Sequence, residues 1–372
     1  MVTCESKQIC PKRSPDFGRG RRFPLAQSMP FSNSVVTVRS AARQRPAASK
    51  PVVSSMTIYV EVRGFTEQQR ERLTRALAAH RLVFGEDLSS EDARRDALGG
   101  AEIVFGNAAV EWCAAAADLR WIQLESAGAD CYAAFCGVPR QPPVAVTRLY
   151  DFYSWAVSEC ALAGILAYFR CLPQLFAAQR EQRWVKPEVE PSIRCLHGAR
   201  VVILGAGSIG QRLASLLRAF DCSVRFYARA APHAQLHSPA ELDAALPSID
   251  VLISTLPQTP DTVGFISRPR LAHLAAGTLF VNVGRGSSMD EPALLEALED
   301  GRLAGAVLDV TASEPIPAGS PLWTHPRILL TQHTGGRFPG ETDAKIDFFL
   351  ENFQRFERGE PLFGQIDPTR GY

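Results

Sequence analysis

Three side chains suited to acid–base and anion chemistry occupy similar places in the second half of the chain. Arg285 lies between two glycines in "VNVGRGSS", Glu314 in "TASEP" and His333 in "ILLTQHTGG". Each follows an apolar run, so each is expected near the C-terminal end of a strand, where α/β sheets build their sites. A guanidinium offers a planar fork to a carboxylate or phosphate. An imidazole gives or takes a proton near neutrality, and a carboxylate beside it favours the protonated ring. Alone, each has an ordinary reading: a surface histidine, a loop glutamate before proline, a surface arginine. Their convergence at one sheet edge would make them a site.

Upstream, "RVVILGAGSIGQRLASLLRAF" is an apolar strand, a glycine turn and a helix. Gly205, Gly207 and Gly210 have the G-x-G-x-x-G spacing, which allows a tight turn, lets the backbone approach a pyrophosphate and packs helix against strand. The helix start, with Ser208 and Ile209, then faces the phosphates with free N–H groups. The next strand, "SVRFY", ends at Ala228, where an acid would accept the ribose hydroxyls of NAD. Alanine cannot, and Arg229 follows. An arginine there pairs with the 2′-phosphate of NADP. NADP(H) is therefore the expected cofactor, with NAD(H) as the alternative.

Composition narrows the partners. The chain has 372 residues, 46% hydrophobic and 21% charged, with a formal net charge of +1. Ten basic and two acidic residues fall in 1–55, so the rest carries 30 basic and 37 acidic. An acidic body argues against nucleic acid as the main partner, because phosphate binding needs a basic face. Residues 1–55 read as a disordered basic tail, a transit peptide or a start-site extension, because "MTIYVEV" at Met56 opens the first good strand. No run reaches the ~20 apolar residues of a membrane span. Nine cysteines without C-x-x-C spacing read as free thiols in a reducing compartment, with no metal site. A cytoplasmic location is expected, with organelle import if the tail is a transit peptide.

Strand and helix patterns alternate in two series. "MTIYVEV", "AEIVFGN", "RWIQLES" and "PVAVTR" are the strands of the first, with "TEQQRERLTRALAAH" an amphipathic helix between them. This pattern implies a parallel sheet covered by helices. "FYSWAVSECALAGILAYFRCLPQLFAAQRE" is one apolar helix or a helix pair that must be buried against something, and "RWVKPEVEPSIRCLHGA" reads as a linker. In "LYDFYSW", Tyr150, Phe152, Tyr153 and Trp155 read either as core packing or as an aromatic wall for a bulky substrate group.

With these motifs in order ("GAGSIG", "STLPQTPDTVGFI", "VNVGRGSSMDEPALLEALEDGRLAGAVLDV", "SEPIPAGSPLW", "TQHTGG"), residues 56–372 resemble the D-isomer-specific 2-hydroxyacid dehydrogenase family. The resemblance implies two Rossmann-like doubly wound α/β domains with an active-site cleft between them. The substrate domain would be discontinuous, 56–153 and 337–372, and the NAD(P)-binding domain 154–336. It implies catalytic roles for Arg285, Glu314 and His333. Gln332 stands where the family usually has proline. Cofactor contacts carry over to Gly205, Gly207, Ser208, Ile209, Gly210, Arg229, Leu256, Pro257, Val283 and Asp309, the last positioning the nicotinamide carboxamide. The "SAGAD" loop carries substrate contacts at Ser126, Ala127, Gly128 and Ala129. The implied activity is reduction of a small 2-oxoacid, with glyoxylate, hydroxypyruvate and larger 2-oxoacids all open, by a homodimer without nucleic-acid or membrane partners. A dinucleotide-sensing corepressor-like binding protein shares the fold and the three residues and is the alternative.

Overall fold

The computed structural model describes residues 55–132, 135 and 143–367. The expected N-terminal tail, residues 1–54 of it, lies outside them. The first sheet has five parallel strands: β1 (Thr57–Val60), β2 (Arg81–Phe84), β3 (Ile103–Phe105), β4 (Trp121–Gln123) and β5 (Ala145–Thr147), in the order β2-β1-β3-β4-β5. Helices α1 (Glu67–Ala76), α2 (Glu91–Gly99) and α3 (Val110–Ala115) connect them. Thr66 starts α1 through a capping box with Gln69. β2 went unread in the sequence because it is a four-residue edge strand with no fully buried residue.

The second sheet has six parallel strands: β6 (Arg200–Leu204), β7 (Ser223–Tyr227), β8 (Val251–Ser254), β9 (Thr278–Asn282), β10 (Leu303–Leu308) and β11 (Ile328–Leu330), in the order β11-β10-β9-β8-β6-β7. Its middle strands are buried on both faces, as a parallel sheet between helix layers requires. In both sheets the first strand has the second on one side and the third on the other. The crossovers therefore change direction there, and a crevice opens at the C-terminal strand edge.

The apolar segment is a pair of helices, α4 (Ser154–Phe169) and α5 (Leu172–Arg180), bent by 68°. The break comes at Cys171, at φ 53, just ahead of Pro173, which cannot donate into a continuous helix. Val157, Ala161, Ile165 and Phe169 pack on Val201, Ile203, Val281 and Val307 of the second sheet. Among the described residues no single helix is long and apolar enough to cross a membrane, and α4 spends its apolar face on this core. The expected linker contains a short helix, α6 (Lys186–Val189), because Val185 and Val189 are buried against α5.

The remaining helices are α7 (Ser208–Arg218), α8 (Pro239–Ala245), α9 (Arg268–His273), α10 (Glu291–Glu299) and α11 (Glu341–Arg358). The chain returns to the first sheet through α11. Phe349 stacks on Phe105 at 4.2 Å and on Trp121 at 5.3 Å, and all three are fully buried. Full burial of one such ring is worth roughly 2–3 kcal/mol, so this stack holds α11 and the segment leading into it.

Candidate active site

The three predicted residues follow three adjacent strands of the second sheet: Arg285 after β9, Glu314 after β10 and His333 after β11. His333 Nδ1 meets Glu314 Oε2 at 2.6 Å. Glu314 is aimed by its own loop, where the Thr311 backbone N–H donates to Oε1 at 3.0 Å. With Nδ1 engaged, Nε2 is the ring nitrogen left for a substrate.

Asp309 holds the histidine loop. It is 4% exposed, and its Oδ1 accepts from Thr331 Oγ1 at 2.5 Å and from the N–H groups of Thr334 and Gly335 at 3.1 Å. Its carbonyl accepts the His333 N–H at 2.6 Å. This clamp explains how Gln332 and His333 stay at φ 52 and 56, a left-handed turn uncommon for such residues. A proline is fixed near φ −65° and cannot sit in this turn, which accounts locally for Gln332. A cavity of about 390 Å³ lies beside the pair, bounded by Leu308, Ile316 and Trp323.

Arg285 faces the first sheet. Its Nε donates to Asp130 Oδ2 at 2.8 Å and its Nη1 to the Gly284 carbonyl at 2.8 Å. Asn282, buried at the end of β9, donates to the Arg285 carbonyl at 3.1 Å and accepts the Gly284 N–H at 3.1 Å, which shapes the turn. Two of the five guanidinium N–H groups are thus used, leaving three for an anion.

The "SAGAD" loop follows β4, opposite Arg285. Its carbonyls are occupied: Ser126 accepts from Leu149 N–H, Ala127 from Arg148 Nη1, Gly128 from Ser126 Oγ and Ala129 from Tyr132 N–H. Asn107, at the end of β3, accepts the Glu125 N–H at 3.1 Å. The N–H groups of Ser126, Ala127, Gly128 and Ala129 have no acceptor among the described residues. Such a row of spare N–H groups suits a carboxylate.

The residues around the glycine turn fit a dinucleotide. Gly205 is at φ +100, and a methyl there would meet Thr255 Oγ1 at 2.6 Å; one on Gly210 would meet the Gly205 carbonyl at 2.5 Å. At Gly207 a methyl would meet nothing within 4 Å, so the turn is open on the side where α7 begins without a side-chain cap. Ser208 and Ile209 form the first turn of α7, whose N–H groups suit phosphates. Leu256 and Pro257 follow β8, and Val283 follows β9, along the same strand edge. Arg229, past the end of β7, pairs with Asp261 at 2.8 Å.

Residues 162–335 match the family model described as "D-isomer specific 2-hydroxyacid dehydrogenase, NAD binding domain". The glyoxylate/hydroxypyruvate reductase A of Escherichia fergusonii is 36% identical over 237 residues, 62% of this chain and 74% of that protein. That of Serratia proteamaculans is 35% identical over 223 residues, 58% and 68%. The D-isomer specific 2-hydroxyacid dehydrogenase of Xanthobacter autotrophicus Py2, solved with NADPH and MES, superposes with a TM-score of 0.71 at 30% identity, covering 86% of this chain and 100% of that one. The NADPH-dependent glyoxylate/hydroxypyruvate reductase of Sinorhizobium meliloti, solved with NADP and sulfate, gives 0.71 at 26%, with 86% and 100% covered. The chain belongs to the D-isomer specific 2-hydroxyacid dehydrogenase family. It is an NAD(P)-dependent oxidoreductase acting on 2-oxoacids and their 2-hydroxyacids.

Within this dehydrogenase frame, the four aromatic residues of "LYDFYSW" do not form one wall. Phe152 packs against Tyr153 at 4.8 Å and Phe338 at 5.5 Å. Tyr150 and Trp155 are about half exposed, and Arg212 lies 3.9 Å over the Trp155 ring. Tyr153 joins a polar cluster beside a cavity of about 410 Å³. Its hydroxyl donates to Glu341 Oε1 at 3.0 Å, and Lys345 reaches Glu341 at 2.9 Å and Glu125 at 3.2 Å. Burial and the neighbouring Glu341 push the Tyr153 phenol far above its usual range. Burial opposes the charge on Glu341, yet the bonds from Lys345, Arg337 and Tyr153 outweigh it and hold the carboxyl below its usual range. Asn107 and Asp261 were not singled out in the sequence, because each acts through a partner from another strand. Asp130 was read there only as the end of the "SAGAD" loop, without its bond to Arg285, and Asn282, which shapes its own turn, was read only as part of the apolar run into Arg285. Among the described residues no cluster of His, Cys, Asp or Glu could hold a metal ion.

Proposed function

We propose that this enzyme reduces glyoxylate to glycolate, or hydroxypyruvate to the D-2-hydroxyacid, with NADPH, with Arg285 holding the substrate and His333 donating the proton. The observation that carries this is the placement of the His333–Glu314 pair and the Arg285 fork on adjacent strands of the sheet that bears the dinucleotide turn. The relatives named as glyoxylate/hydroxypyruvate reductases and the neighbours solved with NADPH or NADP support the substrate class and the cofactor.

Bound NADPH supplies the hydride that goes to the carbonyl carbon. The spare N–H groups of Ser126–Ala129 hold the substrate carboxylate. The three remaining Arg285 N–H groups reach the carboxylate and the carbonyl oxygen, stabilising the negative charge that develops there. His333 Nε2 gives its proton to that oxygen and is re-protonated from solvent, and Glu314 keeps the ring oriented and compensates its charge. Asp309 fixes the loop that carries His333, and its remaining carboxylate oxygen is the group for the nicotinamide carboxamide. Closure of the two sheets over the substrate would exclude water. The exposed Phe176 and Trp184, on α5 and just after it, support the homodimer as the assembly, which light scattering on the full chain would check.

The experiment is steady-state reduction of both oxoacids with NADPH and with NADH, on the full chain and on His333→Gln. Turnover with a tenfold preference for NADPH, lost in His333→Gln with NADPH binding intact, supports the proposal. Wild-type-like turnover in the variant removes His333 from the mechanism. Binding of cofactor without turnover of either oxoacid removes this substrate assignment and favours another 2-oxoacid.

A further inference from the structure

An acid is missing where β7 ends, but a carboxylate reaches the same place from the next strand. Asp261 lies in the loop after β8, and its Oδ2 is 2.8 Å from Arg229 Nη1. That loop is stiffly held: Thr262 Oγ1 donates to the Pro257 carbonyl at 2.6 Å and accepts the Thr259 N–H at 2.8 Å. The Arg229 side is pinned too. The Ala228 N–H donates to the Leu236 carbonyl at 3.0 Å, and the Ala228 carbonyl lies 3.0 Å from His237 Nδ1. Two loops with fixed backbones thus hold opposite charges face to face beside the dinucleotide turn, where Thr255 Oγ1 donates to the Leu204 carbonyl at 3.0 Å.

We propose that Asp261 is a specificity-determining residue that sets how strongly the enzyme prefers NADPH over NADH. The proposal rests on the reading that Arg229 receives the 2′-phosphate. A phosphate monoester carries nearly two negative charges at neutral pH, so it competes with Asp261 for the guanidinium and is repelled by the carboxylate. A 2′-hydroxyl suffers neither effect, and a carboxylate is the group that accepts ribose hydroxyls in NAD-selective chains. Arg229 therefore favours NADPH and Asp261 favours NADH, and their pairing keeps the preference moderate. Both side chains are more than half exposed, so the pair is cheap to open, and neither residue is needed for the core.

The test is calorimetric titration of NADPH and NADH into wild type, Arg229→Ala, Asp261→Asn and the double variant, with kcat/KM for each cofactor alongside. Asp261→Asn is expected to raise the NADH-to-NADPH ratio of Kd about fivefold, the size of an exposed charge pair. Arg229→Ala is expected to lower that ratio by tenfold or more. A ratio that stays within twofold of wild type, or falls, in Asp261→Asn overturns the role of Asp261. An unchanged ratio in Arg229→Ala overturns the 2′-phosphate reading itself, and the proposal with it.

Discussion

Arg285 and Asp130 belong to loops of different sheets, and the 2.8 Å bond from the arginine Nε to the Asp130 carboxylate joins them across the cleft. Both side chains are only about a quarter exposed, at 27% and 25%. The bond leaves the outer face of the guanidinium open while fixing its direction, so Asp130 is a positioning residue for the arginine. A displacement of about 1 Å at a reacting group can cost on the order of 100-fold in rate. Asp130→Asn is therefore expected to lower kcat for oxoacid reduction by about tenfold to a hundredfold. The oxoacid KM should move less, because the cationic fork remains. Steady-state kinetics at saturating NADPH would check this, and an unaltered kcat would refute the positioning role.

Gly128 sits where the same arginine ends. A methyl group there would overlap Arg285 Nη2. The obstructed atom is the tip of a flexible side chain, so the fold can absorb the change by moving the arginine. Gly128→Ala is expected to keep its thermal midpoint within a few degrees of wild type and to lose about a hundredfold in kcat/KM. Differential scanning fluorimetry and kinetics on one preparation would separate the two effects. A large fall in midpoint would mean that the loop itself was disrupted.

Much of this site was legible in the sequence because its parts are local. Gly205 to Gly210, the apolar run into Arg285 and the run into His333 are short patterns whose spacing reflects one strand and one turn each. What was not legible depends on partners distant in the chain. Asp130 and Arg285 are 155 positions apart, and Arg229 and Asp261 are 32. The left-handed turn at Gln332 and His333 is imposed by Asp309 rather than by local preference. In the fold, β2 was missed because its apolar run, Leu82 to Phe84, is only three residues long. The break at Cys171 was left open between one helix and two because Pro173 is tolerated in the first turn of a helix.

Glu314 and His333 meet in a short polar contact, at 2.6 Å. Glu314→Gln keeps an oxygen able to accept from Nδ1 but removes the charge that compensates a protonated ring. General acid–base contributions are typically 100- to 10,000-fold, and only part of this should be lost when the acid itself is intact. Turnover is expected to fall by about tenfold to a hundredfold in Glu314→Gln and by more in His333→Gln, with NADPH affinity within about threefold of wild type in both. Single-turnover measurements of NADPH oxidation would compare them. A Glu314→Gln enzyme as fast as wild type would reduce Glu314 to a loop residue.

Gln332 offers the sharpest local test, because this chain departs there from the proline usual in the family. The observed φ of 52 is closed to proline, so Gln332→Pro must turn the backbone over just before His333. The Asp309 clamp resists, since the His333, Thr334 and Gly335 N–H groups all end on that residue. A proline placed where the native backbone cannot accept it destabilises by more than about 1 kcal/mol. Gln332→Pro is expected to lower the urea midpoint and to cut kcat by at least tenfold, with Gln332→Asn, which tolerates the left-handed turn, staying near wild type. If Gln332→Pro matches wild type in both stability and rate, the loop adopts the other backbone conformation and the clamp by Asp309 is not what holds His333 in place.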